Sequence, residues 1–205
     1  SLVGSEMCIR DRGYTGAGSR IAIIDTGADV DHPSLDPDAL KYALQGSNAT
    51  IMTEADLTDE VLNQLNAYTR KAGLTAADFY VNEKIPFGFN YVDADTDITH
   101  DNDTQGDHGS HVTGIAAGNR FVKDEAGNYV AALDSVMTQG VAPDAQILTM
   151  KVFGKGGGAY DSDYMVAIED AMVLGADAAN LSLGGSFPGY SEYTLSLIHI
   201  SEPTR

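Results

Sequence analysis

The sequence predicts an α/β domain built on a mainly parallel sheet. Three observations lead there. Short apolar runs with the character of buried strands recur along the chain. Longer stretches with helical spacing lie between them, and Gly, Pro and Asp gather at the junctions. In sheets of this kind, chemistry collects at the carboxyl ends of strands. The residues that close each strand therefore matter most.

Residues 16–19 read as a turn, and RIAIID (20–25) as a short buried strand that ends at Asp25, where Thr26 and Gly27 turn the chain. ADVDHPSLDPDAL (28–40) reads as a Pro/Asp-rich loop. Residues 53–73 predict one surface helix, with Leu57, Val61, Leu62 and Leu65 near helical spacing, Thr53 as cap and Gly73 as stop. IPFGFNYV (85–92) is a second strand. Residues 93–107 hold six aspartates and few apolar groups, which reads as a solvated loop. HGSHVTGIAAG (108–118) predicts a helix of small residues that packs tightly. AQILTMKVF (145–153) is a strong buried strand, and GKGGGAY (154–160) a flexible turn. Residues 161–175 predict an amphipathic helix with Tyr164, Ile168 and Met172 at i, i+4 and i+8, Asp161 or Ser162 as cap and Gly175 as stop. ADAANLSLGG (176–185) is a last strand running into a glycine turn, and no internal repeat is present.

A chain of 205 residues is enough for one sizeable domain or part of a larger one. Thirty acidic against 12 basic residues give a net charge of -18, which repels phosphates and so disfavours nucleic acid and anionic membranes as partners. The same charge suits a soluble protein in a salty or extracellular setting. No apolar run approaches the ~20 residues of a membrane helix, and no cleavable signal is visible at Ser1. Cys8 is the single cysteine, so no intrachain disulfide can form. Both ends read as foreign. SLVGSEMCIRDR (1–12) and LSLIHISEPTR (195–205) lack apolar period and turn logic, and each resembles translated sequencing-adapter text. The native segment is expected to be 13–194, cut at both sides, with Cys8 and His199 outside it.

Asp-Thr-Gly after an apolar strand serves two peptide-cleaving chemistries. In aspartic proteases the aspartate activates water with a second aspartate, whereas in a serine relay it orients a histidine. GDHGSHVTGIAAG bears on the choice. A histidine at a helix start, followed by Gly109 with no side-chain bulk, can approach another element closely. Asp25 at a strand end and His108 at a helix start then form two members of a relay. The carboxylate fixes the tautomer through one ring nitrogen, and the other nitrogen takes a proton from a hydroxyl. An aspartic protease would need a β-rich dimer or a second Asp-Thr-Gly. The chain alternates helices with strands, has no second copy, and that reading leaves HGSHVTG unexplained.

AIIDTGADVDHPSL, HGSHVTGIAAG, GVAPDAQILTMKVF and NLSLGG stand in the order and contexts of the subtilisin-like serine proteases, in patches from Tyr14 to Gly185. The resemblance implies a three-layer subtilisin-like fold, incomplete at its C-terminal side, and a serine endopeptidase acting on polypeptides. By that resemblance Asp25 and His108 are the triad aspartate and histidine, and His111 is a second, non-catalytic histidine that serves packing. KVFGKGGG, with Gly154, Gly156 and Gly157, resembles the edge segment that pairs with an extended substrate backbone. Ser182, Leu183, Gly184 and Gly185 resemble the opposite wall of the substrate cleft.

Two departures stand out. Asp25 and His108 are 83 residues apart, longer than in the short subtilisins. The excess, residues 36–84, resembles a spacer in the large cell-envelope proteinases of Gram-positive bacteria, which implies an extracellular or wall-associated location. Second, Ser182, Ser186, Ser191 and Ser196 all lack the family's Gly-Thr-Ser-Met-Ala context, and no oxyanion asparagine element follows NLSLGG. The expectation is a chain truncated near Thr194 and inert by itself, since removing the triad serine costs subtilisin about 10⁶ in turnover. The alternative is a non-catalytic pseudoprotease or binding module on the same fold.

No cofactor is assigned. The resemblance allows calcium, but Ser34 stands where the family places a ligand aspartate after His-Pro. Asp93, Asp95 and Asp97 imitate the start of an EF-hand loop, yet Ile98 replaces its glycine and Thr104 its glutamate. His108 and His111 are spaced i, i+3 with no third ligand placed for zinc.

Overall fold

A computed structural model describes residues 13–101 and 103–184. The two adapter-like tails (1–12 and 195–205), Gly185, Ser186, Ser191 and Ser196 lie outside the described residues. In chain order the elements are β1 (Arg20–Asp25), α1 (Pro37–Ala43), α2 (Asp59–Leu62), α3 (Asn66–Arg70), α4 (Ala76–Phe79), β2 (Phe87–Asn90) and α5 (His108–Ala117). They continue with β3 (Phe121–Lys123), β4 (Tyr129–Ala131), α6 (Ala132–Ser135), β5 (Gln146–Lys151), α7 (Asp161–Val173) and β6 (Ala178–Asn180).

Four strands form one parallel sheet in the order β2-β5-β1-β6, as the apolar runs predict. In register, Asp25 of β1 lies opposite Lys151 of β5, and Lys151 lies opposite Asn90 of β2. Alternate residues of β1 face opposite sides of the sheet. Ala22 and Ile24 join Phe87, Phe89, Leu148 and Met150 under α7, which contributes Ala167 and Ala171, with Leu174 just past its end. Ile23 and Ile147 face the other way, against Ala117 of α5. Helices on both faces give three layers, and β1 at the centre is buried on each.

The 53–73 region departs from expectation. It is a 3-10 turn (Glu54–Asp56) followed by α2 and α3, where the sequence reads as one helix. Side chains that bond the backbone break it up. Asp56 accepts from Thr53 N (2.7 Å), and Thr58 accepts from Val61 N (3.3 Å) to start a new helix. The start of α3 is capped from another element, for Asp170 of α7 accepts from Asn66 N (2.7 Å) and Ala67 N (2.9 Å). The expected apolar residues Leu57, Leu62 and Leu65 are nonetheless buried.

The buried line of α7 is also corrected. Met172 is 75% exposed, while Asp163, Ala167, Asp170 and Ala171 face inward. Small alanines let the helix approach the sheet, and its two buried aspartates have partners. Asp163 pairs with Arg70 (2.6 Å), and Asp170 takes bonds from Tyr91 Oη and Asn66 Nδ2 (both 2.9 Å). Burial pushes the Asp170 carboxyl above its ordinary range against the pull of these donors. Tyr160, not Asp161 or Ser162, is the N-cap, and Tyr164 and Ile168 are only partly buried. The loop expected at 28–40 contains a 3-10 turn (Pro33–Leu35) and the start of α1, which Asp36 caps by accepting from Asp38 N (2.9 Å). The β3–β4 hairpin was not legible, since neither strand exceeds three residues.

Helix α5 meets the end of β1 at Gly109. A Cβ there would collide with the Gly27 carbonyl oxygen and sit 3.0 Å from Gly27 N. Gly109→Ala is expected to destabilise the fold by about 1–3 kcal/mol in urea unfolding, because backbone rather than a yielding side chain blocks the methyl. A second measurement concerns Lys84. Its side chain is wholly buried and donates to Pro143 O and Ala145 O (both 2.8 Å). Burial lowers its pKa to about 7, with Asp144 opposing. The folded state thus prefers the neutral amine, so the unfolded chain binds the proton more readily. Stability is expected to rise with pH across the interval from about 7 to the ordinary 10.5. Urea midpoints through that interval should rise less steeply in Lys84→Met.

Candidate active site

The site forms where β1 ends and α5 begins. Asp25 closes β1 and is 1% exposed. His108 opens α5, with its side chain 54% exposed. Asp25 Oδ1 and His108 Nδ1 are 2.8 Å apart, a hydrogen bond between residues separated by 83 positions. With a carboxylate at Nδ1, that nitrogen holds the proton, and Nε2 is left as the proton acceptor. Asp25 Oδ1 also accepts from Thr26 N (2.7 Å), while Oδ2 is buried without a hydrogen-bond partner among the described residues.

Thr26 locks the two elements together. Its Oγ1 accepts from Gly109 N (2.9 Å) and donates to Gly106 O (3.4 Å). One hydroxyl thus grips the backbone on both sides of His108. Gly27 follows with φ +108, a left-handed conformation that favours glycine. A side chain there would strike Ile98 O, which accepts from Ala28 N (2.9 Å). Beneath the turn, Lys151 donates to Thr26 O (2.6 Å) and pairs with Asp103. The sequence reading missed Thr26, Asp103 and Lys151. The available signal was a lysine inside the apolar run of β5, because a buried ammonium needs partners.

The glycines of 154–157 and the 182–184 segment leave β5 and β6, the two neighbours of β1. The parallel sheet therefore brings both to the end that carries Asp25. Gly154 is buried, and its backbone is engaged in a closed turn. It donates to Gly158 O (3.1 Å) and accepts from Gly157 N (2.9 Å). Gly156 is exposed, and Gly157 lies against the side chains of Thr104 and Gln105. Ser182 Oγ accepts from Asn180 Nδ2 (2.9 Å), Leu183 packs on the core, Gly184 is exposed, and Gly185 falls outside the described residues.

The other candidates resolve differently. The side chain of His111 is 71% exposed and bonds Asp107 (3.2 Å), so it is not a packing residue in this chain. The acidic loop is only partly solvated. The side chain of Asp103 is buried, and Lys155 lies 3.7 Å from Asp95 and 3.5 Å from Asp97. Ser34 bonds the His32 ring (2.7 Å). Among the described residues no three His, Cys, Asp or Glu side chains cluster as metal ligands, and no helix is long and apolar enough to cross a membrane.

Residues 16–201 match the Peptidase_S8 family, described as the subtilase family. The PI-type proteinase of Lactococcus lactis subsp. cremoris is 35% identical over 178 residues, which are 83% of this chain and 8% of that protein. The minor extracellular protease Vpr of Bacillus subtilis is 30% identical over 181 residues, 86% of this chain and 15% of that one. The C5a peptidase of Streptococcus pyogenes is 28% identical over 185 residues, 89% of this chain and 13% of that one. The chain thus spans between 8% and 15% of the length of these relatives. With the family match covering most of its length, and with the ordered motifs lying at the ends of a parallel sheet, the chain belongs to the subtilase family.

Proposed function

We propose that this chain forms part of the catalytic domain of a serine endopeptidase, with Asp25 and His108 as its triad aspartate and histidine. The observation that carries the reading is the 2.8 Å bond from His108 Nδ1 to Asp25 Oδ1. His108 Nε2 takes the proton of a serine hydroxyl as that oxygen attacks a peptide carbonyl. The imidazolium then returns the proton to the leaving amine. Asp25 holds the tautomer and balances the positive charge. The serine and the oxyanion asparagine belong to sequence other than the described residues, and this chain by itself is inactive. Residues 13–194 form the native segment, and 36–84 a spacer within it.

Polypeptide is the substrate class. Backbone at 154–157 and at 182–184 flanks it, Gly156 being the exposed glycine of the first wall. Gly154 N is already bonded to Gly158 O (3.1 Å), so pairing of an extended peptide with that amide requires this bond to open. The location is extracellular or wall-associated; the name of the Bacillus subtilis relative, an extracellular protease, and the acidic composition support an extracellular setting.

In a longer protein that includes this chain and a family serine, Asp25→Asn is expected to lower kcat for peptide hydrolysis by about 10⁴-fold, as loss of the orienting carboxylate does in serine proteases. His108→Ala should cost at least as much. Turnover near that of the wild type in either variant would refute the assignment. An inactive wild type that still binds unfolded polypeptide would favour the pseudoprotease reading.

A further inference from the structure

We propose that Lys151 is a positioning residue. Together with Asp103 it holds the turn after Asp25 and the approach to His108 in one arrangement. The inference rests on the reading of Asp25 and His108 as a catalytic pair.

Lys151 is 0% exposed, although it ends a strand where a long side chain could reach water. Its ammonium turns inward and donates to Thr26 O (2.6 Å), one residue past Asp25, and it pairs with the Asp103 carboxylate, itself 2% exposed. Asp103 lies in the segment that leads to His108. One cation therefore ties the turn after Asp25 to the approach to His108. Main-chain bonds at the same point, independent of the side chain, fix where β5 ends. The Lys151 carbonyl accepts from Tyr91 N (2.8 Å), and the next residue, Val152, donates to Asp25 O (2.9 Å) before the chain enters the Gly154 turn. A buried charge is costly without partners, and a fold gains little net stability from a buried pair. The return is geometric, because an ammonium with two fixed acceptors sets the spacing of the loops that carry them. Neither Lys151 nor Asp103 touches the reacting atoms. Each acts through Thr26 and the backbone before His108.

The test separates position from stability in this chain. The Nδ1 proton of His108, bonded to a carboxylate, gives a proton resonance far downfield, assigned by its absence in His108→Ala. Lys151→Met combined with Asp103→Leu removes both charges and leaves none unpaired. This double variant is expected to keep the wild-type urea midpoint and to lose the resonance to solvent exchange. Asp103→Asn, which retains an acceptor for the ammonium, is expected to keep the resonance at a lower midpoint. A double variant that keeps the resonance overturns the proposal, and so does one that loses it only by unfolding. An absent resonance in the wild-type chain instead removes the Asp25–His108 pair, and this inference with it.

Discussion

The hydrogen bond between Asp25 and His108 joins the end of a central strand to the start of a distant helix, and the surrounding contacts exist in relation to it. Neither element could present its residue alone. Strand β1 is buried on both faces, so its carboxylate emerges only where the chain turns at Thr26 and Gly27. Helix α5 reaches that turn only because Gly109 has no side chain. Thr26 then spans the gap, gripping the backbone at Gly106 and Gly109 with one hydroxyl. A partly exposed imidazole against a buried carboxylate gives one ring nitrogen a fixed partner and leaves the other for chemistry.

Much of this is legible in the sequence. Arg20–Asp25 and Gln146–Lys151 read as strands because IAII and ILTM are short, mostly apolar runs without strict alternation, as burial on both faces allows. His108–Ala117 read as a helix that packs closely because its residues are small. What failed has a common cause. In 53–73, Asp56, Thr58 and the distant Asp170 each offer the backbone an alternative hydrogen bond, and periodicity does not register such competition. On α7, Asp163 and Asp170 face inward because Arg70, Asn66 and Tyr91 meet them there, partners that are far away in sequence. Asp103 was read with its five acidic neighbours as solvated, yet the single cation of β5 draws it inside.

Buried charge also attaches residues 66–70 to the rest of the domain. Arg70 reaches Asp163 and the Tyr91 carbonyl (2.5 Å), and Asp170 caps the helix that carries Arg70. These bonds place residues 66–70 on α7, the helix that follows the glycine turn at 154–158. Residues 66–70, between Asp25 and His108 in sequence, are thus part of the layer built on α7.

The central claim is that Asp25 assigns the proton on His108. The most direct measurement is the nitrogen-15 spectrum of the His108 ring at a pH where the imidazole is neutral. The account predicts a protonated Nδ1 and a bare Nε2. A ring that carries its proton on Nε2, or that divides it evenly between the two nitrogens, would contradict it.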